Sequence, residues 1–549
     1  MPTQRSPTPN VPPSYVKRLQ TWSEKRDGST VGSTLHSILF CDARSYTGFE
    51  ALVPPQCFSD LRIDQIMEAV VGGRGDYNLK PYFYQPLRTV AEIDYRQGVL
   101  RELENGPVGD LARAFAETLG TVSKQLQFAD GCFHKAEKHR WFLDAITLYC
   151  DVVSNFIVAV SGLTLQSAGV KGIFRVIAAY VDSEEFKRLQ GEVQELQSRL
   201  RTLRYRLHID GNRITATRHR PGSDYGARIA AEFQTFNQYG TNEIRFTTGS
   251  DSHLNHIEHA ILDMLTDLYP EVFSAIEDFY EEHVHKAVHP NIRLFEMEAQ
   301  FALAVLQYVR GMRDAGLAFC YPAISDCDKS ICGKDAFNLA LADILLRRKS
   351  TIITNSFHLN DPERVIVVSG PNQGGKTTFA QMIGQLHYLA RLGWPVPGRQ
   401  ARLFLCDEIF TVFEKEEDLR THTGKLEEEL LRMRDVLGTA TSRSLLIMNE
   451  SFASTAPSDA LLLGQKMMEQ IAALDLLCVS VTFIDELASF SRTTVSMVAT
   501  VNPADVSQRT FQLVRRPADG HAYAVAIAEK HRLTRELIQE RIAANSLGN

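Results

Sequence analysis

The chain has 549 residues, a net charge of −7 and 44% hydrophobic content, which suits about three or four domains with full-sized cores. An acidic balance excludes a surface that is basic throughout, so affinity for nucleic acid has to come from a local basic region. The nine cysteines are scattered and follow no secretory signal, which argues against a disulfide framework and for a reducing cytoplasm, nucleoid-associated if the source is bacterial.

Residues 1–14 are rich in Pro, Ser and Thr, the composition of a disordered tail. Residues 15–80 read as an N-terminal segment of the core, with a loop at Gly72-Gly73-Arg74-Gly75-Asp76. From Tyr82 to about Val181 the pattern is helical. Val90 to Glu104 carries apolar residues three and four apart, and breaks fall at Gly106-Pro107 and Gly162. The most apolar window, Ala145 to Val170, is interrupted by Asp151, Asn155 and Gln166. It reads as a buried helix pair, not a membrane span.

Phe186, Leu189, Val193, Leu196, Leu200, Leu203 and Leu207 then alternate three and four apart, the seam of a lever-like coiled-coil helix. It runs into Tyr205–Ile209, Asp210-Gly211-Asn212 and Arg213–Thr217, which reads as a β-hairpin. Between Arg199 and Arg220 lie seven arginines (199, 201, 204, 206, 213, 218 and 220) and one acid, Asp210, a local charge of +6. The bland reading is a solvated face with snorkelling arginines. The functional one, favoured here, is a DNA-backbone contact through Arg199, Arg213, Arg218 and Arg220 at the lever tip.

Helices return from about 223 to 318, followed by a polar loop from Ser325 to Lys334, a helix from Asp335 to Arg348 and a strand at Ile352-Ile353. Residues 81–349 thus form a helical core and lever domain. His253, His256, His259, His283, His285 and His289 are candidate zinc ligands, but surface or capping roles are the expectation. Cys320, Cys327 and Cys332 lack paired spacing and read as free thiols.

Residues 350–549 carry the chemistry. Val365–Ser369 is a β-branched strand, and Gly370-Pro371-Asn372-Gln373-Gly374-Gly375-Lys376-Thr377-Thr378 opens a helix reaching about Leu392. This is the phosphate-loop pattern: curled backbone N–H groups and a helix N-terminus face anionic oxygens. Lys376 adds charge for the β/γ oxygens, and the Thr377 hydroxyl is a ligand for Mg²⁺. Two acidic segments compete to complete an ATPase site, Asp407-Glu408 after Leu403–Cys406, and Asn449-Glu450 after Ser444–Met448.

The Gly-Pro-Asn start of the loop resembles the phosphate loop of the MutS DNA mismatch repair family. Ala440–Thr455 is similar to that family's second strand and following loop, Asp459 falls near its D-loop, and Gly520–Ala528 resembles its small-Tyr-small helix opening. Gln85-Pro86-Leu87 to Arg96-Gln97 resembles the start of its helical core. The resemblance implies an α/β P-loop (ABC-type) ATPase domain at the C-terminus, preceded by an all-α lever domain with a small β-hairpin clamp.

It further implies that Glu450 is the general base, that Asn449 stands where the family has Asp beside the metal, and that Asp407-Glu408 is a decoy on an earlier strand. Ile352 and Asn355 match the family's adenine-side positions, with Phe357 a nearby aromatic, and a hydrophobic core role is equally open to either apolar residue. Phe483 falls on the family's switch histidine. Gly424, with Thr423 beside it, falls on the signature serine that completes the site across a dimer, and Glu427-Glu428-Glu429 reads as a solvated helix face.

The implied activity is an ATP- and Mg²⁺-dependent DNA-binding homodimer, working on mismatched or branched duplex with repair partner proteins and with no membrane involvement. The helical core begins within about 80 residues, leaving no room for the family's N-terminal mismatch-reading domain, so mismatch specificity is not implied. The alternative, motivated by Asn449 and Phe483, is a structural or regulatory module that holds ATP with little hydrolysis.

Overall fold

The computed structural model describes residues 35–41, 53–75, 77–210, 213–219, 256–414, 424–502, 505–518, 533–535 and 537–539. The tail at 1–14 and Arg220, Thr423 and His253 lie outside them. Residues 36–549 form one contact unit, to which every element below belongs.

Short helices α1 (Cys57–Asp60), α2 (Ile63–Val71) and α3 (Pro81–Tyr84) precede α4 (Val90–Glu104). Helix α4 has the span expected of it. Thr89 caps it by accepting from the Glu92 amide, while the Glu92 carboxylate receives the Thr89 amide at 2.9 Å, a reciprocal box that satisfies two orphan donors. Helices α5 (Pro107–Gly131) and α6 (Lys135–Ser161) pack along each other, the first starting at Gly106 and the second ending at Gly162. Helix α6 is long and apolar enough to cross a membrane by length and composition. In this fold Leu143, Ile146, Tyr149 and Val153 are buried in the core instead.

Helices α7 (Ala168–Asp182) and α8 (Glu184–Thr202) follow, then strands β1 (Tyr205–Asp210) and β2 (Arg213–Arg218) in antiparallel register. The seam on α8 is shorter than the heptad pattern. Phe186, Leu189, Val193 and Leu196 are buried, but the chain leaves the helix at Leu203 and Leu207 faces solvent from β1. Once the period becomes two, a residue in register with a helical stripe no longer stays on its face.

Helices α9 (His256–Leu268), α10 (Pro270–His283) and α11 (Pro290–Asp314) complete the helical part. The chain then departs from expectation. Strands β3 (Phe319–Cys320) and β4 (Ala323–Ser325) lead into the expected polar loop, whose second half is strand β5 (Ile331–Ala336); α12 spans Leu339–Arg347, and the strand placed at Ile352-Ile353 is β6 (Asn355–Leu359). Strand β3 pairs with β8 (Val396–Pro397), and a four-stranded sheet in the order β4-β9-β5-β6, with β9 at Gln400–Phe404, therefore straddles position 350. The residues before 350 are not all helical.

The principal sheet contains β7 (Val365–Ser369), β10 (Ile409–Phe413), β11 (Leu445–Asn449), β12 (Leu477–Val481), β13 (Thr494–Asn502) and β14 (Asp505–Arg515), in the order β10-β11-β12-β7-β13-β14. All neighbours are parallel except β13 and β14. Alternation divides each strand: Ile366, Val368 and Ile447 join the main core, whereas Val365, Val367 and Leu446 face a second core with Met467 and Ile471. That second core involves α14 (Lys425–Thr439) and α15 (Pro457–Leu474).

Helix α13 (Lys376–Arg391) joins the sheet to the helical part, with every residue from Phe379 to Arg391 buried. Its polar side chains need partners there. Gln381 donates to the Asp60 carbonyl at 2.8 Å and Gln385 to that of Leu61 at 2.9 Å. Tyr388 donates to the Phe83 carbonyl at 2.6 Å, and the Leu87 amide donates to the Arg391 carbonyl at 2.8 Å. Arg96, fully buried, donates to the carbonyls of Leu39 (3.0 Å) and Leu392 (3.1 Å) and lies over Phe40.

Beside Arg96, Glu298 is also fully buried and accepts from Ser37 Oγ at 2.6 Å and the Ile38 amide at 2.7 Å. Burial pushes its carboxyl up from 4.5 to about 7, against the pull of those donors and of Arg96. A carboxyl raised on folding contributes stability that is whole below its unfolded value and is lost as pH rises through its folded one. Relative to Glu298→Gln, the wild-type Tm should therefore fall by a few degrees between pH 4.5 and 7. Parallel Tm profiles for the two proteins would contradict this placement.

Candidate nucleotide site

Parallel strands end together. Val368 pairs with Val481, and Val481 with Asn449, so the segments after β7, β11 and β12 meet at one carboxyl edge of the sheet. Ligands of open α/β sheets bind at such edges.

The loop after β7 depends on its glycines at two positions. Gly370 has φ +114°, and a Cβ there would stand 3.0 Å from the Ala499 carbonyl oxygen. Gly375, with φ +91°, is the N-cap of α13. Both conformations favour a residue without Cβ. Gln373 also adopts φ +59°, and its neighbour Gly374 donates to the Pro371 carbonyl at 3.2 Å.

Lys376 is buried at the base of this loop. Its ammonium donates to the Gly370 carbonyl at 2.8 Å and lies 4.1 Å from the Phe483 ring centroid. Burial lowers its pKa, while Glu450 and Asp485 oppose that shift. Thr377 Oγ1 donates to Asn449 Oδ1 at 2.8 Å, so the two expected metal donors are adjacent. Next to them Glu450 is half-buried, with φ +58° and its amide donating to the Val481 carbonyl at 2.8 Å. Burial raises its carboxyl, and Lys376 pulls it back down. Thr378 lies in the first turn of α13, and its carbonyl accepts from Asn338 Nδ2 at 3.2 Å.

The donor set fits magnesium and a polyphosphate. Thr377 and Asn449 present hard oxygens, Glu450 supplies a neighbouring carboxylate, and the cradle presents a helix N-terminus with a lysine.

Asp407 and Glu408 are elsewhere. They precede β10 and are not on a strand, and Ile409 pairs with Leu445, which puts them at the opposite edge from Asn449. Asp407 accepts from Thr441 Oγ1 at 2.5 Å and Ser444 Oγ at 2.9 Å, holding a turn.

Several other positions named from the sequence have local structural roles. Phe357 is buried, edge-on to Phe379, as part of the core. Ile352 is partly buried against the same core. Asn355 donates to the Phe511 carbonyl at 3.1 Å and accepts from the Leu513 amide at 2.7 Å, fastening β14. Gly424 is the N-cap of α14. Asp459 lies in the first turn of α15. Glu429 is not solvated: half-buried, it accepts from the Phe452 amide at 2.8 Å and steadies the turn after Glu450. Nothing in the Glu427–Glu429 run signals that role.

At the lever tip, Arg199 is paired with Glu195 and Arg213 is exposed on β2. Arg218 lies over Tyr269, donates to the Leu268 carbonyl at 2.8 Å and pairs with Glu271 at 3.2 Å, which anchors the hairpin base. Two of the candidate histidines cross-link helices. His259 bonds Glu137 at 2.8 Å and buried His283 bonds Glu192 at 2.6 Å, whereas His289 caps α11. Glu192, Glu282 and His283 bring metal-ligating atoms within 4.8 Å of one another, but Arg188 and Lys286 already pair with Glu282. Cys320, Cys327 and Cys332 are free thiols.

Residues 366–546 match the family model for MutS domain V. The human DNA mismatch repair protein Msh3 is 29% identical over 202 residues, covering 36% of this chain and 16% of that protein. The DNA mismatch repair protein MutS of Microcystis aeruginosa is 27% identical over 214 residues, 38% of this chain and 23% of the relative. That of a Synechococcus strain is 37% identical over 100 residues, 18% and 11% respectively. The chain thus spans less than a quarter of the length of these relatives. Residues 366–546, which contain the glycine loop and the strands bordering it, are thus a MutS domain V, and the relatives that match this part of the chain are MutS-family mismatch repair proteins.

Proposed function

We propose that the chain binds and slowly hydrolyses ATP with Mg²⁺, and that the nucleotide state of a homodimer governs its grip on duplex DNA in mismatch repair or a related repair or recombination process. The observation that carries this reading is the meeting of Lys376, Thr377, Asn449 and Glu450 at one edge of a parallel sheet, beside a glycine cradle. Family membership and the names of the relatives support the DNA part.

In this reading the loop backbone from Gly370 to Gly375 and the start of α13 bind the phosphates, and Lys376 neutralises their charge. Lys376 first has to leave the Gly370 carbonyl and the Phe483 ring. Thr377 and Asn449 hold Mg²⁺, whose chemistry is to neutralise charge on the transferred phosphoryl group. Glu450 orients the attacking water and takes its proton, a role suited to a carboxyl raised by burial. The neutral Asn449 gives up one negative charge beside the metal, which slows turnover more than binding.

The second reading, a module that holds ATP without useful turnover, is favoured by that neutral Asn449 and by Phe483, which offers Lys376 an aromatic face and a γ-phosphate no donor. With Arg199 paired to Glu195 and Arg218 to Glu271, DNA binding at the tip hairpin falls to Arg213 and the arginines near it. Thr423 and Gly424 belong to the segment where a partner subunit would reach the site.

Lys376→Ala should weaken ATP binding on the order of a hundredfold by calorimetry with the Tm unchanged; undiminished affinity would refute the site. In single-turnover assays Glu450→Gln should lower the hydrolysis rate by about 10²- to 10⁴-fold, whereas equal and negligible rates in both proteins would favour the holding module. Arg213→Glu should weaken binding to a branched duplex and reduce the salt slope by roughly one. Unchanged affinity would remove the hairpin from the DNA interface.

A further inference from the structure

Strand register sorts the side chains of the lever-tip hairpin onto two faces. Leu207 stands opposite Ala216 and Ile209 opposite Ile214, while Tyr205 stands opposite Arg218. Opposed residues share a face, and so do residues two apart on one strand. Tyr205, Leu207, Ile209, Ile214 and Ala216 therefore lie together, and Arg206, His208, Asp210 and Arg213 lie on the other side. Such alternation normally hides the apolar face in a core. Here Tyr205, Leu207 and Ile209 are 45%, 36% and 66% exposed, and Ile214 and Ala216 are only half-buried. The base of the hairpin is anchored where Arg218 lies over Tyr269 and donates to the Leu268 carbonyl. Ile209, next to last in β1 and furthest of the three from that anchor, is the most exposed. A single exposed apolar side chain is ordinary, but three in register on one projecting strand make a contact surface.

The charge around this stripe selects its partner. Between residues 199 and 218 six arginines stand against one acid, Asp210, a local charge of +5 on a chain whose net charge is −7. Arg201, Arg204, Arg206 and Arg213 are all exposed. A second copy of the chain would bring the same positive charge to the contact and repel it. A nucleic acid matches both features, since its phosphates attract arginine and the flat faces of its bases are apolar. In an uninterrupted duplex those faces are hidden by stacking, and opening a step costs a few kcal/mol. At a branch point the cost is smaller, because stacking there is already broken. A two-stranded ribbon is also narrow enough to enter a duplex groove.

We infer that the hairpin places Ile209, backed by Leu207 and Ile214, against base faces left open at a branch point in duplex DNA. The exposed arginines hold the neighbouring phosphates. The inference rests on the DNA-binding reading above and adds a substrate class to it. Phosphate contacts form on any duplex, so the preference for branched over uninterrupted DNA comes from the apolar contact.

The test is fluorescence anisotropy on the full chain, with an uninterrupted duplex and a three-way junction that carries 2-aminopurine at its branch point. Ile209→Ser removes the apolar bulk without changing charge, and Ile209→Leu keeps it; circular dichroism and Tm check the fold of each. Wild-type protein should favour the junction and change the 2-aminopurine emission on binding. Ile209→Ser should lose about ten- to a hundredfold of junction affinity together with the emission change, at an unaltered salt slope, and Ile209→Leu should retain both. Undiminished junction affinity in Ile209→Ser overturns the inference, and so does an equal loss on both DNAs. It also fails if, without DNA, Ile209→Ser turns a sedimenting dimer into monomers, which would make the stripe an interface between copies. Wild-type protein that binds neither DNA would overturn the DNA-binding reading itself, a separate result.

Discussion

Helix α13 is the constraint on which the rest of the structure depends. Its N-terminus closes the glycine loop and its body is buried on all sides. Its C-terminal carbonyls are capped from the helical part by Arg96 and by the Leu87 amide. A helix with polar residues buried all round is stable only when each finds a partner. Gln381, Gln385 and Tyr388 find theirs in main-chain carbonyls between residues 60 and 83. Those hydrogen bonds fix the segments around residues 60 and 83–87 to the element that begins at Lys376. Any displacement of α13 would therefore be felt in the helical part.

The same logic explains the oddities of the site. Glu450, Phe452 and Phe511 all have positive φ without being glycine, and each is held by a hydrogen bond at or beside it: Glu450 to Val481, Phe452 to Glu429, and Phe511 to Asn355. Three separate elements thus converge on the loop edge. Asn449 and Phe483 are both first neighbours of the cradle, through Thr377 and Lys376 respectively. In the proposed function these two residues set the charge beside the metal and the contact offered to the γ-phosphate.

Much of this was legible in the sequence wherever the signal is local. The β-branched run into Gly370, the capping pair Thr89 and Glu92, and the hairpin around Gly211-Asn212 each carry their instructions within a few residues. The small sheet was not legible. β5 pairs with β6 and with β9, the latter about seventy residues on, and its residues Ile331–Ala336 include Gly, Lys and Asp, which read as loop. Heptad spacing continued through Leu207 although the helix ended at Thr202, because period alone carries no stop signal. Glu429 and Phe511 escaped notice for a related reason: their meaning lies in partners far along the chain.

The most direct test of the account is amide hydrogen exchange with and without saturating Mg²⁺-ATP. If α13 links the cradle to the helical part, ATP should slow exchange at 370–378 and also in the segments that grip the helix, 57–61 and 83–97. Protection confined to the loop, or absent everywhere, would contradict it.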